Sequence, residues 1–152
     1  MTREAAAAPA MVNDGHCFAC GPNSDIGLHL HFRIVGDRAV RAETTLARPF
    51  QGWVGLAHGG IVMTLIDEGM AHAAGAAGYR GVTGEVRVRF RKAVPIGEPI
   101  AIVGRVLWQR GVVLGVEAHV EDQAGTLLAS GEGRFVAKGT VEPGALGLPD
   151  VV

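Results

Sequence analysis

Three adjacent residues, His58-Gly59-Gly60, are followed nine positions after the histidine by Asp67. Two glycines that open a helix present backbone N–H groups with no intrahelical partner, and the missing Cβ atoms let a ligand oxygen approach them closely. The helix dipole adds positive potential at the same place. A carboxylate further along can accept a proton or attack an electrophilic carbon. The bland reading of the same residues is a helix start packed on a sheet and a polar boundary position on an apolar helix face. Glu68 is a second acid beside Asp67 but stands about 100° further round the helix, so it is expected to face solvent or a subunit contact.

Two other groups carry potential chemistry. Cys17 and Cys20 have the C-x-x-C spacing of half a zinc site, which His16 with His29 or His31 would complete. A full zinc site usually brings a second close pair of ligands, whereas His29 and His31 alternate along the polar face of a strand, so no metal is expected. Arg87, Arg89, Arg91 and Lys92 are able to form charge-assisted bonds to phosphates. For most of them a solvated strand face opposite Val86, Val88 and Phe90 is the simpler account.

The elements that must position these residues follow from periodicity. Residues 27–35 alternate, with Leu28, Leu30, Phe32 and Ile34 on one face. Gly36-Asp37 is a turn, and residues 38–46 alternate again with Val40, Ala42, Thr44 and Leu46 inward, which predicts a hairpin. Residues 48–57 hold Pro49, Gly52 and Gly55 and read as a loop. From Ile61 the period becomes helical, with Leu65, Ile66, Met70 and Ala73 on the same face, and ends near 75–78 after about five turns. Four more alternating segments follow, near 82–94, 99–109, 112–121 and 126–137. Residues 100–107 are apolar on both parities apart from Gly104 and Arg105, as in a strand covered on both faces. The order is two strands, one helix and four strands: an α+β domain in which an antiparallel sheet wraps a single helix.

The chain has 152 residues, the size of one domain, and a formal net charge of −1 with no basic block. Nucleic acid is therefore not an expected partner. Its apolar runs fall short of the roughly 18 residues a transmembrane helix needs, so no membrane partner is expected either. Residues 1–15 lack the basic flank and long apolar core of a signal peptide and are read as a disordered tail. With only two cysteines, the expected compartment is the cytoplasm. Residues 139–152, rich in Gly and Pro, are read as a loose tail, leaving 16–138 as the domain.

The stretch Phe50-Gln51-Gly52-Trp53-Val54-Gly55-Leu56-Ala57-His58-Gly59-Gly60 with Asp67 resembles the signature of hotdog-fold acyl-CoA thioesterases of the phenylacetate-degradation (PaaI-like) type, within the 4-hydroxybenzoyl-CoA thioesterase superfamily. Cys17-Phe18-Ala19-Cys20-Gly21-Pro22-Asn23 followed by Gly27-Leu28, and Gly81-Val82-Thr83 leading into 86–97, are similar to further segments of the family. The resemblance implies a hotdog fold and hydrolysis of an acyl-CoA to free acid and CoA without a cofactor. It assigns the oxyanion donor to the Gly59 amide, the base or nucleophile to Asp67, and a positioning hydroxyl to Thr83. His58 is expected to shape the turn, and Gly60, Gln51, Trp53, Met63 and Arg91 to contact substrate.

Spacing then adds a constraint. Eight residues of helix separate Gly59 from Asp67 by about 12 Å, yet both must come within roughly 3 Å of one reacting centre. The two groups must come from different subunits, so a homo-oligomer is expected, a dimer or a dimer of dimers. One position departs from the family: where many relatives carry Asn or Gln, this chain has Gly52, with Gln51 beside it. Two competitors stand next to the thioesterase: a hotdog dehydratase or hydratase, which needs a differently placed histidine base, and a non-catalytic acyl-CoA-binding protein.

Overall fold

The computed structural model describes residues 11–143. Six strands and one long helix follow in the order β1 (Arg33–Gly36), β2 (Ala39–Thr45), α1 (Gly59–Ala76), β3 (Tyr79–Phe90), β4 (Pro99–Arg110), β5 (Val113–Asp122) and β6 (Leu127–Thr140). A single 3₁₀ turn at Arg48–Phe50 starts the loop into the helix. The strands form one sheet in the order β1-β2-β4-β5-β6-β3, and every neighbouring pair is antiparallel. The helix crosses the inner face of that sheet, as the change of period from two to 3.6 residues predicts.

Leu65, Ile66, Met70 and Ala73 are fully buried on α1 against Ile102 of β4, Leu114, Val116 and Val120 of β5, and Ala129 and Phe135 of β6. Truncating one of these large side chains to alanine would cost about 2 to 5 kcal/mol. Helix and sheet approach most closely at Gly69 over Gly104. A Cβ on Gly104 would run into the Gly69 carbonyl, and one on Gly69 would lie 3.0 Å from Ile102 Cγ2. This pair sets how deep the middle of α1, and with it Asp67 and Glu68, sits on the sheet.

Three expectations change. The first strand is only Arg33–Gly36, because His29 takes a positive φ of 50° and breaks the extended run. Leu28 and Leu30 are buried, but their N–H groups bond to Phe18 O and Ala19 O rather than to the sheet, and Ile34 is exposed. On β4 the outer parity is buried at Ala101 and half-buried at Val103, but Arg105 and Leu107 are open. At the C-terminal side β6 continues through Thr140, which pairs with Tyr79, so ordered structure passes residue 138. Of the expected tails, residues 1–10 and 144–152 lie outside the described residues. Gly15, placed in the first tail, is buried and accepts from Asn23 N. No helix among the described residues is long and apolar enough to cross a membrane.

Candidate active site

The N-terminus of α1 is built by His58. Its backbone is extended (φ −60°, ψ 137°) and its Nδ1 accepts from Gly60 N at 2.9 Å, so the ring is the helix cap. The His58 carbonyl accepts from Ile61 N and Val62 N. Gly60 therefore does not offer a free donor, contrary to the sequence expectation, because the histidine ring claims it. Among the described residues nothing accepts from the Gly59 N–H, and Gly59 is exposed. Four N–H groups open the helix, and one is left to point at a ligand.

Beside Gly59 is a hollow of about 240 Å³ lined by Ala57, Gly59, Val62, Phe90, Arg91 and Lys92. Arg91, one of the cations expected to contact substrate, lines this hollow near the free amide, with its Nε 3.4 Å from Ser130 Oγ. Phe90 and Lys92 were not singled out as site residues from sequence. The Phe90 ring reaches to 3.8 Å from where a Gly59 Cβ would be. Its exposure, 56%, is the signal that alternation hides, since its parity marks it as a core residue.

Asp67 lies two turns along the helix, half-buried, and Thr83 Oγ1 donates to its Oδ1 at 2.6 Å. A β-bulge makes this contact. Arg87, Glu85 and Arg89 pair with the outward residues Glu132, Arg134 and Ser130, whereas Thr83 pairs with the inward Phe135. The register shift between Thr83 and Glu85 places Gly84 as the extra residue. Strict alternation would have turned the Thr83 hydroxyl to the arginine face; the bulge re-aims it at the helix.

The remaining expected contacts are spread out. Gln51 Oε1 accepts from Gly55 N at 3.3 Å, so its amide braces the loop. Gly52 lies against His58, where a Cβ would be 3.2 Å from the His58 Cα. Trp53 and Val54 project outward, 85% and 91% exposed, and Met63 is 42% exposed. Gly60, Met63 and Asp67 recur at helical spacing along the uncovered side of α1.

Glu68 does not face solvent. Its side chain is 15% exposed and is enclosed by the N-terminal segment: Cys17 Sγ approaches Oε1 at 3.9 Å and His72 Nε2 at 3.2 Å. Burial opposes its ionisation, but the His72 hydrogen bond and charge, with bonds from Cys20 and Cys17, outweigh it and hold the carboxyl below its ordinary range. The misreading has a simple cause, since residues 15–21 fold across the helix and no local period records that.

The comparisons with known proteins agree with this architecture. The family model for the thioesterase superfamily matches residues 54–129. A crystal structure of a thioesterase-superfamily protein superposes with a TM-score of 0.78 at 26% identity, covering 88% of this chain and 70% of that one. The E. coli PaaI protein from the phenylacetic acid degradation operon gives 0.69 at 16%, covering 76% and 83%. A hypothetical thioesterase from Streptococcus pneumoniae, solved with coenzyme A, gives 0.68 at 21%, covering 73% and 87%. No curated protein matches. A six-stranded antiparallel sheet around one helix, with the family match running from the loop before α1 into β6, makes this chain a hotdog-fold member of the thioesterase superfamily.

Proposed function

We propose that the protein is an acyl-CoA thioesterase whose active site is shared between two copies of the chain. The observation that carries the reading is the division of labour along α1. One free amide, Gly59 N–H, stands at the helix start, and one hydroxyl-held carboxylate, Asp67, stands about 12 Å away. A thioester carbonyl seated at Gly59 of one copy takes its oxyanion stabilisation from that N–H and the helix dipole. Asp67 of the second copy then activates water or attacks the carbonyl carbon, with Thr83 fixing the carboxylate oxygen. Arg91 and Lys92, at the hollow beside Gly59, are suited to CoA phosphates. The coenzyme A bound to the pneumococcal relative supports that chemistry.

The surface supports a dimer. β3 is the edge of the sheet and twelve residues long, with Val86 on it exposed, and Met63 of α1 and Trp53 and Val54 of the loop before α1 are exposed too. A long unpaired edge next to apolar side chains is what a second copy would cover. His58 favours hydrolysis over hydration, because its Nδ1 is committed to the helix cap. Binding without turnover is favoured by one feature: at Gly52 there is no amide to hold the carbonyl or water, and the neighbouring Gln51 amide is occupied by the loop.

Thiol release from aromatic, short-chain and medium-chain acyl-CoAs, measured for the wild type and Asp67→Ala, tests the reading. Turnover of at least one ester and a loss of about 10²-fold or more in the variant are expected. Full activity in Asp67→Ala would remove the mechanism; tight binding of acyl-CoA with no thiol release would favour the binding protein, and water addition to an enoyl-CoA the hydratase.

A further inference from the structure

A second side of α1, about 100° round from Asp67, carries another constellation that hydrolysis does not use. Cys17 Sγ, Cys20 Sγ and a Glu68 carboxylate oxygen all lie within 4.8 Å of one another. Tetrahedral donors around zinc, at about 2.3 Å for sulfur and about 2.0 Å for oxygen, stand roughly 3.5 Å apart, so a contraction of about 1 Å converts the cluster into a coordination shell. Behind Glu68, His72 is 6% exposed, its ring stacked on Phe32 at 4.5 Å, with Nε2 3.2 Å from Glu68 Oε1. A hydrogen-bonded group behind a carboxylate is the usual support of a metal ligand.

The backbone is shaped for the same purpose. Between the cysteines and the body a tight loop closes, with Gly21 N donating to Cys17 O at 2.8 Å and Asn23 N to Gly15 O at 2.8 Å. Only glycine fits at position 21, since a Cβ would strike the backbone of Cys17 and Gly15. Leu28 N and Leu30 N bond to Phe18 O and Ala19 O, which anchors the two residues between the cysteines. Both sulfurs are thereby held toward the helix rather than left on a free loop.

We propose that Cys17, Cys20 and Glu68 bind one zinc-class divalent ion, with His72 positioning the Glu68 carboxylate and a water filling the fourth place. Two thiolates select a soft or borderline metal over magnesium or calcium. The partners differ from those the sequence alone offered: His29 Nε2 bonds to Ser24 O and His31 is exposed, so neither takes part. Thiols ligate zinc as thiolates, so binding must release thiol protons and strengthen as pH rises. The ion would tie residues 17–20 to the helix residue adjacent to Asp67, a fixing role apart from the reacting centre.

The test uses the reduced, chelator-stripped full chain titrated with cobalt(II) and then zinc(II), so it reads no thioester hydrolysis and stands or falls independently of the proposed activity. Expected are a thiolate-to-cobalt charge-transfer band saturating at one ion per chain, its displacement by zinc, and protection of both thiols from a thiol reagent. Cys20→Ser should abolish the band; Cys17→Ser, at a surface position that leaves the core intact, serves if Cys20→Ser fails to fold. Glu68→Gln should weaken zinc binding by at least tenfold, and His72→Ala by about 10- to 100-fold with the band retained. Absence of the band, its persistence in either serine variant, or a Cys17–Cys20 disulfide as the stable form under reducing buffer would overturn the site.

Discussion

Asp67 and Glu68 are neighbours with the same functional group, and the fold gives them opposite surroundings. Asp67 looks along the uncovered side of α1, held by one hydroxyl at 2.6 Å and otherwise open to whatever covers that side. Glu68, about 100° round the helix, is enclosed by two thiols and a histidine from its own chain. An acid enclosed by its own chain serves the fold or holds an ion; an acid on an open side of the helix has room for a reactant. The distinction comes from which segments cross the helix, not from the residue type.

The largest effect is expected when the two halves of the proposed site are removed from different chains. Gly59 is the first residue of α1, and His58 at ψ 137° has the conformation that precedes proline. Gly59→Pro therefore deletes the free N–H while keeping the helix, and kcat should fall about 10²- to 10³-fold, as for loss of an oxyanion donor. Coexpressed with Asp67→Ala, whose chains retain Gly59, it should recover about one quarter of wild-type thiol release, because half the dimers are mixed and each mixed dimer has one intact site. If each chain held a whole site, mixing would restore nothing.

Stability should separate the two acids in the other direction. With chelator present, Glu68→Ala leaves His72 buried beside an empty space, and a loss of about 3 kcal/mol is expected from breaking a buried pair. For a domain of this size that lowers Tm by roughly 10 °C, measurable by heat denaturation. Asp67→Ala should shift stability by only about 0.5 kcal/mol. A larger effect at Asp67 than at Glu68 would mean that their assigned surroundings are reversed.

Much of this contrast was legible in sequence, and its gaps have physical causes. The change of period located α1 to within two residues, and the spacing of Gly59 and Asp67 already led to the proposal of a site shared by two chains. What alternation could not encode was contact across the fold. The Cys17 to Glu68 approach spans 51 residues and depends on a loop closing over the helix. The direction of Thr83 depended on the irregular register at Gly84, which in sequence is one more glycine in a strand. His29 looked like a strand residue because its neighbours Leu28 and Leu30 are buried, although its own φ is positive. Apolar pattern reports which residues are covered, and leaves open what covers them.

Thr83→Val leaves Asp67 in place but removes the hydroxyl that holds it. Losing a hydrogen bond to a carboxylate should cost about 1.5 kcal/mol of positioning, or roughly tenfold in kcat, with KM nearly unchanged. A 10²-fold loss would promote the hydroxyl from holding the carboxylate to holding the water.

The smallest expected effect falls on His58, and it decides whether the histidine is structural. Asn is among the best helix caps, so His58→Asn preserves an acceptor for Gly60 N–H, whereas His58→Ala leaves that donor unpaired and should cost about 1 kcal/mol of stability. Freed in the alanine variant, the Gly60 N–H would also be available to compete with Gly59 for the carbonyl oxygen. If the ring only caps the helix, His58→Asn should retain kcat within about threefold, a change equivalent to roughly 0.6 kcal/mol of misplacement at the helix start. A general base has no substitute in asparagine, which cannot accept a proton near neutral pH, so a loss of about 10²-fold or more in His58→Asn would move the base from Asp67 to the helix cap and end the division between the two ends of α1.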